Sequence, residues 1–291
     1  MRIVGVDIGG TSIKLGVFDE QGRAEKVTEY DTDSIRGGRY VLDKIMENIS
    51  LLGEVDAIGV STAGQVDRET GVIVKGSVNI PNSTGLQVKN ILEERFEVPT
   101  SVVNDVHAAA LGENHFGVGK ALEDFLFVTY GTGVGGAMIQ NGQVNYGRDG
   151  YSGEIGHMIT HADGKRCNCG LHGCYEVYGS TTALVKAAQQ HSPSYKNGKV
   201  IFDAFHRGDE VIQKIVDKWI HEVTIGLVSL IHIFNPSSII VGGGIMEQEI
   251  FVEKIAERVN TFILPPFRNV EITKATLGNK AGMLGAISLH V

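Results

Sequence analysis

The chain has 291 residues, 42% hydrophobic and 21% charged, which is enough apolar material for about two packed domains and excludes wholesale disorder. Its 26 basic against 34 acidic residues leave a net charge of −8, which argues against a nucleic-acid surface. No apolar run approaches the ~18 residues of a membrane span, and MRIVGVDIGG lacks the basic-then-apolar layout of a signal peptide, so the expected compartment is the cytoplasm.

In chain order, residues 2–8 (RIVGVDI) read as a buried strand, followed by GGT, a strand IKLGVF, the turn DEQG and a weaker strand over 26–30. Apolar residues at 41, 42, 45, 46, 49 and 52 have helical spacing. A core strand is expected at 55–61, a loop at 62–71, a helix at 86–96, a strand at 99–103 and a helix at 106–116. GVGK at 117–120 is a candidate boundary. The opening pattern then recurs ~120 residues later, which predicts a duplicated α/β domain. FLFVTY (125–130) is a strand, GTGVGG a glycine-rich turn and AMIQ a strand. Asn141-Gly142 is a hairpin signal, and QVNYG a further strand. Helices are expected at 181–190, 209–234, 251–262 and 281–290, and strands at 238–241 and 270–275. Asn235-Pro236 stops the long helix.

Glycine accounts for 38 of the 291 residues, and it gathers where chemistry is expected. Asp7-Ile8-Gly9-Gly10-Thr11 sits at a hairpin tip, where backbone N–H groups and a hydroxyl can hold phosphate and an Asp can hold Mg2+ through water. The same glycines would also serve a plain tight turn. Gly131 to Gly136 contains a GxGxxG, but a dinucleotide fingerprint opens a helix, whereas AMIQNGQV reads as a hairpin. Two such hairpins make a phosphate clamp instead. Gly242-Gly243-Gly244, after a strand, offers a surface free of side chains for adenine or ribose, or simply a helix-entry loop. Asn104-Asp105 lies between a strand end and a helix start, where an N-cap is the commonest use and a proton acceptor the functional one.

All three cysteines lie between 167 and 174, too tightly packed for a disulfide framework. Residues 153–176 read GEIGHMITHADGKRCNCGLHGCYE. His157, Cys167, Cys169 and Cys174 offer four N/S ligands, the set of a closed tetrahedral Zn2+ site, with His161 and His172 as competing ligands. Glu154 and Glu176 flank the cluster and would otherwise be ordinary surface acids.

DIGGTSIK, Asn104-Asp105, GTGVGG, GEIGHM, CNCGLHGCYE, NPSSIIVGGG and NKAGMLGA occur in this order, and over about residues 3–287 the chain resembles the ROK family of sugar kinases, within the hexokinase–actin superfamily. The resemblance implies an α/β fold of two actin-like, ribonuclease H-like lobes with an interdomain cleft. The smaller lobe would span 1–117 plus 280–291, and the larger, zinc-bearing one 118–279. It implies a first phosphate loop from Asp7 to Lys14 (with Gly9, Gly10 and Thr11) and a second from Gly131 to Gly136 (with Thr132, Gly133 and Gly135). Gly242, Gly243 and Gly244 would line the adenosine site, and Asp105 would be the general base. Gly64, Asn79, Asn104, Asp105, Glu154, His157 and Glu176 would contact the sugar. ATP, Mg2+ and a structural Zn2+ are the implied cofactors, and a homodimer acting on a small-molecule sugar the implied assembly.

The expected reaction is transfer of the γ-phosphoryl group of ATP to a hexose or N-acylhexosamine, at the 6-OH. Asp105, at a helix start, is expected to stay ionised because the helix dipole favours the anion. The alternatives are a non-catalytic sugar sensor and a polyphosphate-dependent kinase. A regulator would need a DNA-binding head of roughly 60–80 residues, which is not expected ahead of a loop at residue 7. Two departures touch the sugar end. Ala63 stands where the family often has Pro, and IPNSTG after Asn79 lacks a Trp common among its glucokinases.

Overall fold

Aliphatic residues dominate two runs that form the centre of a sheet, Ile3–Ile8 (β1) and Ser12–Phe18 (β2). The computed structural model describes residues 1–291. After β1 and β2 come Ala24–Asp31 (β3), the helix Gly38–Ser50 (α1), Ala57–Thr62 (β4), and the short strands Gly64–Val66 (β5) and Ile73–Gly76 (β6). Val88–Phe96 (α2), Thr100–Asn104 (β7) and Asp105–Phe116 (α3) follow. The sheet order is β3-β2-β1-β4-β7. β2 runs antiparallel to β1, whereas β4 is parallel to β1 and β7 to β4.

The second half repeats this plan. Phe125–Tyr130 (β8), Val134–Gln140 (β9) and Gln143–Val144 (β10) precede the helices Glu176–Gly179 (α4), Thr181–Gln189 (α5), Gly198–His206 (α6) and Glu210–Phe234 (α7). Ser238–Gly242 (β11), Glu249–Phe262 (α8), Glu271–Lys274 (β12) and Ala281–Ile287 (α9) complete the chain. The order β10-β9-β8-β11-β12 matches the first sheet position for position, as the repeated opening predicted.

Two units emerge, one of residues 1–122, 142–152 and 279–291, the other of 123–141 and 153–278. The expected larger lobe, 118–279, includes 142–152. The structure groups it with the first, where Asn114 donates its amide to the Gly142 carbonyl at 2.9 Å and the His107 ring meets the Ser152 carbonyl at 3.1 Å. In unit one, α9 is apolar nearly all round and lies against the sheet. Gly5 permits that approach, since an added Cβ would sit 3.0 Å from Ile287. In unit two the core gathers on α7, whose Trp219, Val223, Leu227 and Ile231 are buried. Asp209 caps α7 by accepting from Val211 and Ile212, and Asn235, at φ 45°, ends it.

The expected loop at 62–71 contains β5, and the final helix stops at Ile287 before a short 3-10 turn. The expected strand 143–147 pairs only over Gln143–Val144. No helix is long and apolar enough to cross a membrane.

Candidate active site

In unit one, β1 and β2 pair with Asp7 opposite Lys14, so residues 9–11 close a tight hairpin beneath a shared side-chain face. Lys14 Nζ lies 3.8 Å from Asp7 Oδ2. Ser61, level with Asp7 on β4, donates its hydroxyl to Oδ1 at 2.8 Å. Burial pushes the Asp7 carboxyl above the usual range, against the opposing pull of Ser61 and Lys14. Gly282 on α9 stands behind it, and a Cβ there would sit 2.7 Å from Asp7 Oδ1. The motif NKAGMLGA held that signal, but nothing in its pattern tied it to Asp7. Gly9, Gly10 and Thr11 are at least partly exposed, and Asn79 packs against Gly10.

Asn104 does two jobs. Its Oδ1 accepts from the N–H groups of Val106 at 2.9 Å and His107 at 3.2 Å, which is an N-cap. Its Nδ2 donates to the Gly64 carbonyl at 3.0 Å and to Asp105 Oδ1 at 2.9 Å. The Val106 N–H also reaches Asp105 Oδ1, at 2.9 Å. One amide thus caps the start of the helix and orients the carboxylate. Asp105 sits higher than the helix-dipole argument alone leads one to expect. Burial, and then the like charge of Asp7, push it up to about 6 despite the bonds from Val106 and Asn104. Desolvation outweighs the helix terminus here.

In unit two the turn between β8 and β9 closes with the Gly131 N–H donating to the Gly133 carbonyl at 3.0 Å. Gly135 and Gly136 already belong to β9. A cavity of 880 Å³ opens beside this turn, lined by Gly131, Thr132, Gly244 and one side of α5. That lies within the usual range of ligand pockets. Open space stands over Gly131 and Gly244. Gly243 has φ 97° and is pressed against the Tyr130 carbonyl, so it shapes the backbone. Gly242 is buried under the Phe127 ring and presents no surface. Helix α6, which the sequence pattern does not predict, contributes Lys199, Phe202 and Asp203 to the cavity wall.

Glu154 opens a short 3-10 turn, Ile155–His157, that aims residues 154 and 157 to one side. His157 Nε2 lies 3.8 Å from Glu154 Oε2, and its Nδ1 lies 3.9 Å from Cys167 Sγ. Cys169 Sγ and Cys174 Sγ are 3.6 Å apart, and the four possible ligand atoms all lie within 4.8 Å of one another. Bond lengths of about 2.0–2.3 Å around a tetrahedral Zn2+ put ligand atoms roughly 3.3–3.8 Å apart, so this donor set fits zinc. His161 is no rival, because its Nε2 pairs with Glu222 at 3.5 Å and its ring stacks on Tyr178. His172 is exposed outside the cluster. Glu176 is no loose surface acid. Its Oε1 accepts from Cys167 Sγ at 2.9 Å, and its Oε2 occupies the space a Cβ on Gly133 would need.

The chain belongs to the ROK family, whose model matches residues 3–291. It is 33% identical to a glucokinase of Thermotoga maritima, over 99% of this chain and 97% of the relative. Among solved structures, a ROK family glucokinase from Streptomyces griseus in complex with glucose and AMPPNP superposes with a TM-score of 0.88, at 33% identity and 99% coverage of both chains. A ROK hexokinase from Thermus thermophilus gives a TM-score of 0.85, at 33% identity, covering 99% of this chain and 97% of that one. The repeated α/β sheets are therefore the actin-like, two-lobed fold of these kinases, and the protein is a sugar kinase, a phosphotransferase with an alcohol acceptor.

Proposed function

We propose that this enzyme transfers the γ-phosphoryl group of ATP to the 6-hydroxyl of a hexose or N-acylhexosamine, with Asp105 as general base. The observation that carries the reading is the Asn104–Asp105 pair. A carboxylate at a helix start has its Oδ1 held by Val106 and Asn104, which gives Oδ2 the task of accepting the hydroxyl proton. With its pKa raised to about 6, Asp105 is a better proton acceptor than an ordinary Asp and still mostly ionised at neutral pH.

In this reading ATP occupies the 880 Å³ cavity of unit two, its phosphates reaching the N–H groups and hydroxyl of residues 131–133. In unit one, Gly9, Gly10 and Thr11 are donors of the same kind. Asp7, buried and raised, fits a cation, and Mg2+ there would neutralise phosphate charge. Lys14 adds a positive charge on the same face. Zn2+ would be held by His157 Nδ1 and the thiolates of Cys167, Cys169 and Cys174. That arrangement fixes the imidazole and turns Nε2 toward a sugar hydroxyl, beside Glu154. Gly64, Asn79, Asn104 and Glu176 complete the sugar contacts in this reading. The expected homodimer belongs to it as well, and light scattering on the purified protein reads it directly.

The test is ADP release over a panel of glucose, mannose, N-acetylmannosamine, N-acetylglucosamine and β-glucosides, with polyphosphate as a second donor. Phosphorus NMR then locates the phosphate. A 6-phosphate formed from ATP supports the reading, and a phosphate elsewhere on the ring, or turnover with polyphosphate alone, overturns it.

A further inference from the structure

Unit two holds a second cavity, of 440 Å³, on the other side of α5 from the first. Thr181, Thr182, Val185 and Gln189 face the larger cavity, whereas Ala183, Leu184 and Ala187 face the smaller. The two sets alternate at helical spacing, so α5 is a wall shared by two pockets. Nothing in the kinase reaction uses the smaller one.

Its chemistry is two-sided. Val177, Leu184, Ile215 and Trp219 supply carbon surface. The Trp219 indole N–H is already committed to the carbonyls of Gly179 at 2.8 Å and Ser180 at 3.2 Å, so only its ring is available to a ligand. His161, Glu222, Lys165 and Lys218 join this lining, together with Tyr178. His161 and Glu222 satisfy each other at 3.5 Å. Neither lysine takes part in any ion pair of the chain, and Lys165 Nζ lies 5.1 Å above the Tyr178 ring. An apolar pocket with two unmatched cations on its lining selects an anion with an apolar body.

We propose that this pocket is an effector site for a small monocarboxylate with an apolar body, and that its occupancy is transmitted through α5 to the larger cavity. The coupling part rests on the reading that ATP occupies that cavity. Binding itself does not depend on that reading. A ligand against Ala183, Leu184 and Ala187 restricts the helix that carries Thr181 and Thr182, and the second site then binds a differently populated α5.

Trp219 is the chain's one tryptophan, and it lines this pocket, so intrinsic emission reports occupancy without a label. The probe is 4-phenylbutyrate, with 4-phenyl-1-butanol as its uncharged control. The acid should change emission saturably, and the alcohol should not. Lys165→Ala with Lys218→Ala should weaken the acid about tenfold, which corresponds to about 1.4 kcal/mol. Ala187→Trp, at an exposed position on α5, should block the acid by filling the pocket mouth, read by thermal shift because it adds a second indole. Saturating acid should move the KM for ATP about threefold and leave the KM for sugar unchanged. Binding that ignores the carboxylate, or that survives the double lysine variant, overturns the site whatever ATP does. Gly244→Val keeps the two readings apart. If it leaves the KM for ATP unchanged, the nucleotide assignment fails and the emission titration still judges the pocket. If it raises the KM for ATP and the bound acid does not move that KM, the coupling is overturned.

Discussion

The two glycine hairpins share one backbone plan and differ in charge. In β1–β2, Asp7 faces Lys14 across the strands. In β8–β9, the equivalent strand position is Thr129, and it faces Gly135. The first turn therefore carries a carboxyl and an ammonium group at its base, while the second offers backbone and a Thr. The difference teaches that the duplicated topology sets where a turn projects, and the residues flanking the turn set what it can do. Unit one holds two buried carboxyls that feel each other's charge, Asp105 and Asp7, the groups proposed above to accept the proton and hold the cation. Unit two has the uncharged turn and, in His157 and the three cysteines, a donor set that fits a metal.

The largest effect should come from the charged side. Asp105→Asn is expected to lower kcat by ~10²–10⁴ while the KM for sugar stays within a few-fold, as steady-state kinetics will read. Wild-type activity should fall as pH drops through about 6, because the protonated carboxyl cannot accept the hydroxyl proton. Stability has the opposite sign. The folded chain binds this proton more tightly than the unfolded chain does, so the carboxyl becomes a stability cost as pH rises from the usual Asp range through about 6. At pH 7, Asp105→Asn should therefore raise stability by about 1–3 kcal/mol in denaturant melts. A variant that keeps its turnover breaks the assignment of the chemistry to unit one, and one that is destabilised breaks the desolvation account of Asp105.

That trade-off was not legible in the sequence, and the reason is specific. Asn104-Asp105 at a strand–helix junction announces a cap, and the helix dipole argument follows from position alone. Desolvation follows from tertiary packing, and Asp7 lies 98 residues away in the chain. The repeated strand–turn–strand pattern was legible because hydrophobic runs and glycines mark it twice. The one-His, three-Cys set was legible because four soft donors within eighteen residues have few other uses. Helix α6 was not, because its nine residues follow SPSYKN, a run of turn formers, and only the Asn197 cap onto Val200 starts it. Strands β5 and β6 are three and four residues long, too short to show alternation. Gly282 stands out in the sequence only as part of a motif, since its closeness to Asp7 depends on how α9 lies on the sheet.

A second test sharpens the scaffold half of the comparison. Purified protein should carry about one zinc per chain by metal analysis, as a closed four-ligand site implies. Cys169 is exposed, so Cys169→Ser removes almost no packing. If the thiolate is a ligand, that near-isosteric change should nevertheless cut bound zinc, lower Tm by several degrees and weaken sugar binding, because metal affinity is part of the folding free energy. Unchanged Tm and activity in a zinc-free protein would reduce the cluster to three thiols and a histidine without a metal. A smaller effect is expected from Gly133→Ala. The new methyl group would run into Glu176 Oε2, so the KM for sugar should rise about tenfold, roughly 1.4 kcal/mol, with a lesser change for ATP.

The smallest effect is the most discriminating, because its two readouts should move in opposite directions. Gly131 sits two residues before Gly133 in the same turn, yet nothing lies within 4 Å of a Cβ placed there, and its φ is not in the left-handed region. On the protein alone, Gly131→Ala is a free substitution. Alanine restricts the unfolded chain more than glycine does, so the variant should be more stable by about 0.4–1 kcal/mol, seen as a small rise in Tm. The empty space over Gly131 opens into the 880 Å³ cavity. If a nucleotide phosphate approaches the backbone there, the methyl group stands in its way, and the KM for ATP should rise a few-fold while the KM for sugar holds. A protein that gains stability and keeps its ATP affinity would mean that the phosphates lie elsewhere, and the neutral hairpin would lose its place as the counterpart of the charged one. A protein that gains stability and loses ATP affinity shows a turn whose shape is kept open for its ligand at a small expense in folding.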